Sequence, residues 1–248
     1  VKLGSAARIV KGQDWYISRY HAYLKHRDLA AEAQALSTIM DRPTRVRTYS
    51  WSASSAGGCL RARQFTYLGM PQVRPGDKAM NIFANGDYMH LRHQAFGTVA
   101  GYITDTEVSV ALAKYNLLGT MDGVLSNGHG LELKSINTFG FGQVNTFGAK
   151  PEHVLQMHAY MLATDIEAFH AVYEDKNTQQ LKEILVPRDE KVIGSVREEL
   201  ERLNESTSQR ELIPMLPECL NGEGKYRWCE YASICENAKW PEGRARIA

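Results

Sequence analysis

The chain has 248 residues, 44% of them hydrophobic and 23% charged, which allows one sizeable core. Its formal charge is +1, so no global basic field marks a nucleic-acid binder, and any such surface must be local. No apolar run is long enough to span a membrane and the N-terminus shows no signal-peptide pattern; a cytoplasmic, reducing compartment is expected, in which the thiols of Cys59, Cys219, Cys229 and Cys235 suit a metal site better than disulfides.

Taken in chain order, residues 13–40 carry Trp15, Tyr16, Tyr20, Tyr23 and Leu24 at helical intervals. A Ser-, Arg- and Gly-rich connector follows, and "SSAGGCLRARQFTYLGM" then opens a helix that stops near Gly69. "NIFANGDYMHLRHQAFG" is a second helix. "YITDTEVSVAL", "LLGTMDGVL" and "GLELKSI" read as strands, and "PEHVLQMHAYMLATD" as a helix started by Pro151. "AFHAVYED" and "KEILVPR" are strands joined by turn residues, and "EKVIGSVREELERLNES" is an amphipathic helix. From Ile213 the chain is rich in Pro, Cys, Trp and Tyr. The order implies an α/β fold with a mixed central sheet flanked by helices. Residues 1–50 are expected to form an N-terminal helical segment, and residues 51–248 one domain whose end, about 213–240, carries Cys219, Cys229 and Cys235.

The two strands around "SNGHG" carry Asp122, Glu132 and Lys134 among aliphatics and glycines. Glu132 and Lys134 are two apart, so a strand points both to one face. A two-residue Asn127-Gly128 turn would set Asp122 opposite Leu133 and send the two acids to opposite faces. If the acids work together, the loop has odd length or a bulge, for which Gly130 is the available residue. Converging carboxylates repel unless a cation lies between them; Mg²⁺ or Mn²⁺ suits such oxygen ligands, and a lysine beside them can stabilise a phosphate or orient an attacking water. The alternative is an exposed strand face with ordinary charges.

With these three residues the chain resembles the PD-(D/E)XK nuclease superfamily. "GDYMH" (Gly86 to His90) before the sheet and "QMHAY" (Gln156 to Tyr160) after it resemble the Gly-x-x-x-His and Gln-x-x-x-Tyr motifs of its RecB-like exonuclease branch. The resemblance implies a restriction-endonuclease-like core and a divalent metal held by His90, Asp122, Glu132 and the Leu133 carbonyl. It also implies catalysis involving Asp122, Glu132, Lys134, Gln156 and Tyr160, and a DNA contact from Lys176 in "VYEDKNT". One early and three late cysteines resemble the iron–sulfur members of that branch, the CRISPR-associated exonucleases and the AddB nuclease domain. That implies a [4Fe–4S] cluster on Cys59, Cys219, Cys229 and Cys235. The chain departs from the pattern in one place: nine residues separate Cys219 from Cys229, and Tyr226 stands where a close cysteine is usual. Zinc, or four unrelated thiols, are the alternatives.

The expected activity is a metal-dependent DNA exonuclease acting on single strands or ends, with partners in recombination, repair or CRISPR adaptation. A structure-specific endonuclease of the same superfamily and a non-catalytic DNA-binding subunit are the competing readings. Basic candidates for holding DNA are Arg42, Arg45 and Arg47 in the connector, Arg61 and Arg63 after Cys59, and Arg92, Lys134 and Lys176.

Overall fold

The computed structural model describes residues 14–41, 49–220 and 229–241. Arg42, Arg45, Arg47 and Tyr226 lie outside the described residues. Helices α1 (Trp15–Leu24) and α2 (Leu29–Met40) replace the single helical stretch expected from the sequence. The break falls where Asp28 turns its carboxylate onto the N–H groups of Ala30 and Ala31 and caps α2. After β1 (Trp51–Ser52) come α3 (Leu60–Tyr67) and α4 (Asp77–Val99), which starts earlier than its apolar pattern suggested.

A mixed sheet follows: β2 (Ile103–Leu112), β3 (Leu117–Leu125), β4 (Gly130–Ile136), β5 (Ala168–Asp175) and β6 (Leu181–Pro187), with β1 joined to it. Between β4 and β5 run α5 (Thr138–Phe147) and α6 (Pro151–Ala163); α7 (Glu190–Ser208) and the short α8 (Pro217–Leu220) and α9 (Ala232–Cys235) close the described chain. Helix α5 was not expected from its Gly-rich sequence. It forms because Asn137 caps the Gly140 N–H and because Phe141 and Val144 are buried.

Helices cover both sheet faces. On one, α6 and α7 pack over Met121, Phe169, Ala171 and Ile184. The α7 contribution is the stripe Val192, Val196, Leu200 and Leu203, each worth ~1.5–3 kcal/mol on full burial. On the other face, Tyr16 and Tyr20 of α1 and Met89 and Phe96 of α4 pack over Leu131, Leu133 and Val172. The N-terminal helical segment is thus part of this layer. Its anchor is Glu183 of β6, whose carboxylate accepts the N–H groups of Tyr16 and Ile17 at the start of α1.

Strand β3 has an unusual set of neighbours. β2 pairs along its whole length on one side. On its other side, β1 pairs only at Leu117 and Leu118, and β4 only at Gly123 and Val124. Between them the sheet is open at residues 119–122, and that opening holds the candidate site.

Candidate active site

The β3–β4 connection decides the placement of the acids. Gly123 pairs with Leu131 and Val124 with Gly130, while the Leu125 N–H bonds the His129 carbonyl. The loop is Ser126-Asn127-Gly128, of odd length, with Gly128 at φ +81°. The permissive glycine is therefore Gly128. Gly130 serves the packing instead, since a Cβ there would lie 2.4 Å from the Phe169 ring.

Past these pairs β3 and β4 diverge. The Asp122 carboxylate enters the gap and accepts the Leu133 N–H at 2.6 Å, so Leu133 meets the site through its backbone. His90 of α4 lies 3.2 Å from the other Asp122 oxygen. Burial alone would lower the His90 pKa; the Asp122 charge and hydrogen bond overcome it and push it up to about 9. Burial would raise the Asp122 pKa, but His90, Lys134 and the Leu133 N–H hold it below the ordinary value.

Glu132 is 2% exposed. Its Oε1 receives Lys134 Nζ at 2.6 Å and Gln156 Nε2 at 2.7 Å. Its Oε2 is buried and has no hydrogen-bond partner among the described residues. Burial and the nearby Asp122 charge push its pKa up to about 7. Lys134 also donates to Gln156 Oε1, and Gln156 Nε2 donates to the Tyr160 hydroxyl, 3.1 Å in each case. Tyr160 in turn donates to the Thr120 carbonyl at 2.7 Å, inside the opening of β3. Gly119 leaves room for that ring: a Cβ there would lie 2.6 Å from it.

These side chains line one cavity of 940 Å³. Residues that sequence reasoning missed share it. Gln94, one turn after His90 on α4, donates to the Asp122 carbonyl at 2.8 Å and to Glu107 at 2.6 Å. Its i+4 spacing from His90 was a usable signal. Glu107 of β2 sits at φ +51°, which nothing in its strand pattern announces. Asp87 and Asp105 also line the cavity, making it rich in carboxylates.

The expectation for Arg61 and Arg63 needs correction. Both are buried, 7% and 6% exposed. Arg61 donates to the carbonyls of Ile213 and Cys235, and Arg63 pairs with Glu199. Their guanidinium groups are spent on joining α3 to α7 and to the C-terminal segment, because buried charges need partners. Arg92 is likewise engaged by Glu174. Lys176 follows β5, its N–H bonded to the Ile136 carbonyl, beside the start of α5.

All four cysteines are free thiols. Burial, then the charges of Cys59, Glu218, Cys235 and Cys229, push the Cys219 pKa up. Tyr231 fastens this end to α3 through Thr66 and an edge contact with Phe65. Among the described residues no group of three or more His, Cys, Asp or Glu side chains already stands as a metal-holding set. The donor chemistry nevertheless fits a cation in both places. The first offers a partnerless buried carboxylate oxygen beside a second acid, the second four thiols whose ionised forms repel.

No helix among the described residues is long and apolar enough to cross a membrane. No family model and no curated protein matches the chain. Among solved structures, it is similar to an alkaline exonuclease (LHK-Exo) from Laribacter hongkongensis, with 16% identity, 66% of this chain and 90% of that chain covered, and a TM-score of 0.48. For the structure of SSO0001 the values are 17%, 84%, 95% and 0.48. For a phage related exonuclease from Haemophilus somnus 129PT they are 12%, 60%, 79% and 0.43.

Proposed function

We propose that this chain is a divalent-metal-dependent deoxyribonuclease of the RecB-like PD-(D/E)XK branch, acting as an exonuclease on single strands or DNA ends. The observation that carries the reading is the buried, partnerless Oε2 of Glu132 beside Asp122 in an open cavity. A carboxylate pair held in this way is costly unless a cation completes it. His90, Asp122, Glu132 and the Leu133 carbonyl would hold Mg²⁺ or Mn²⁺. When bound, the ion supplies Lewis acidity toward a phosphodiester and its attacking water.

The remaining work belongs to the chain. Gln156 holds Glu132 and Lys134 in one plane of contact, so the ammonium faces the cavity rather than sweeping solvent. Lys134 is there to steady negative charge on the phosphate and to orient the water. Tyr160 fixes Gln156 from behind. His90 and the Leu133 N–H orient Asp122. None of these groups reads a base edge, so cleavage is expected with little sequence preference.

The four cysteines are proposed to hold a structural [4Fe–4S] cluster that ties Cys59, at the start of α3, to the C-terminal segment. Anaerobically purified protein should be brown; a colourless protein with stoichiometric zinc replaces the cluster by a zinc clasp. The test of activity is end-labelled linear DNA against a closed circle, with Mn²⁺. Mononucleotides from linear DNA alone support the exonuclease. Cutting of the circle favours an endonuclease, and binding without cutting by the metal-loaded wild type favours a DNA-binding subunit.

A further inference from the structure

Two lysines, Lys150 and Lys176, lie close to the start of α5. Lys134 stands opposite Tyr173 in the β4–β5 register. The Tyr173 hydroxyl accepts the Lys150 N–H and bonds His153. His153, in the first turn of α6, also donates its own N–H to the Lys150 carbonyl. The Lys150 ammonium reaches the first turn of α5, where a Cβ on Gly140 would be 3.6 Å from its Nζ. From the other side, Lys176 is bonded through its N–H to the Ile136 carbonyl, and Asn177 to the Thr138 hydroxyl. Phe139, in the first turn of α5 between Thr138 and Gly140, is 75% exposed. The neighbouring Asp175 is buried, with its carboxylate spent on Thr138, Asn177 and Thr178. Glu152, exposed on the first turn of α6, adds one negative charge at the margin.

An exposed aromatic ring with lysines on the neighbouring segments suits an unpaired nucleic-acid strand. The lysines meet phosphates and the ring meets any base. We propose that Phe139, Lys150 and Lys176 form a platform for single-stranded DNA continuous with the cavity at Lys134, with Phe139 stacked on a base next to the strand end being cut. This rests on the nuclease reading and adds that the strand at the site is unpaired. A duplex buries its base faces and gives Phe139 nothing to stack on.

The test is binding of the full chain to a fluorescein-labelled oligothymidine of about 15 nucleotides, in EDTA so that cutting plays no part. Phe139→Ala should weaken binding about tenfold or more, and Phe139→Trp should keep it, since stacking depends on a π-face. Lys150→Ala and Lys176→Ala should each lower the log–log salt slope by about 0.7, the value for one phosphate contact on a single strand. Phe147→Ala, at the other end of α5 and 79% exposed, is the control and should bind as wild type. All these positions are exposed or half-buried, and an unchanged melting temperature verifies folding. Wild-type affinity in Phe139→Ala, or an equal loss in Phe147→Ala, overturns the platform. If that happens while the wild type still digests DNA, the nuclease reading stands alone. A wild type that binds through Phe139 but digests nothing with Mn²⁺ keeps the platform and removes the nuclease.

Discussion

Glu183 offers the most direct measure of how the N-terminal helix is held. It is 8% exposed, and its carboxylate serves three donors: the Tyr16 N–H, the Ile17 N–H and His170 Nδ1. Glu183→Ala strands all three in a buried place. A hydrogen bond to a charged group contributes ~1.5–3 kcal/mol net, and a negative charge at a helix start ~0.3–1 kcal/mol. The three donors share one carboxylate and water can enter the space left by the side chain. Added independently the terms would give at least about 5 kcal/mol, and this sharing, with entry of water, cuts that to about 3 kcal/mol. For a chain of this size each kcal/mol shifts the melting temperature by about 2–4 °C, so a loss of about 6–12 °C is expected. Glu183→Gln keeps an acceptor oxygen and should lose about a third of that. The loss should reach α4, because Tyr16 holds His93 through its hydroxyl, three residues beyond His90. Thermal melts of the two variants and wild type at one salt concentration are the assay. If Glu183→Ala melts within about 2 °C of wild type, the carboxylate is not the anchor and the aromatic contacts of α1 hold it alone.

Asp122→Ala should abolish cleavage and also destabilise the protein by about 1–2 kcal/mol through the stranded Leu133 N–H; cleavage by a clean preparation would remove Asp122 from the chemistry. Gly119→Ala drives a Cβ to 2.6 Å from the Tyr160 ring and 2.9 Å from Ala53, so it should cost ~1–3 kcal/mol and depress cleavage below the new melting point. An active, fully stable Gly119→Ala would mean the ring has slack. Burial, then the charges of Lys134 and Lys150, lower the His153 pKa to about 3. The unfolded chain, with a pKa near ~6.5, takes the proton first. Stability from this group is thus whole above that value and lost as pH falls toward the folded pKa. Urea unfolding between these limits should show a flatter pH slope in His153→Gln; an unchanged slope would place the effect elsewhere. Cys59→Ser should loosen α3 and the C-terminal segment together, read as rising proteolysis at both ends.

Much of the sheet could be read from short β-rich segments, because β5 and β6 carry apolar runs bounded by turn residues. The odd loop between Asp122 and Glu132 followed from side-chain alternation once the two acids were taken to work together, although the glycine that makes it is Gly128, not Gly130. What stayed hidden depended on partners far away in sequence. Nothing local distinguishes Arg61 and Arg63, which answer distant carbonyls and Glu199, from arginines waiting for phosphate. Helix α5 exists because Phe141 and Val144 have a core to enter, a fact that its glycines conceal. Glu107 needed a backbone angle that no alternation pattern encodes.

The opening in the sheet beside residues 119–122 also bears on how the chain can age. Two side chains there stand in for a missing strand: Tyr160 answers the Thr120 carbonyl, and Asp122 answers the Leu133 amide. On the proposed nuclease reading, removing either one would damage the chemistry and the scaffold in the same step. Among the described residues the Lys134 side chain bonds no backbone group, only the side chains of Glu132 and Gln156. Copies of this gene freed from selection for cutting should therefore lose Lys134 early and keep Asp122 and Tyr160 long after the reaction is gone, so an intact acid and tyrosine are weak witnesses of activity, and the lysine is the better one.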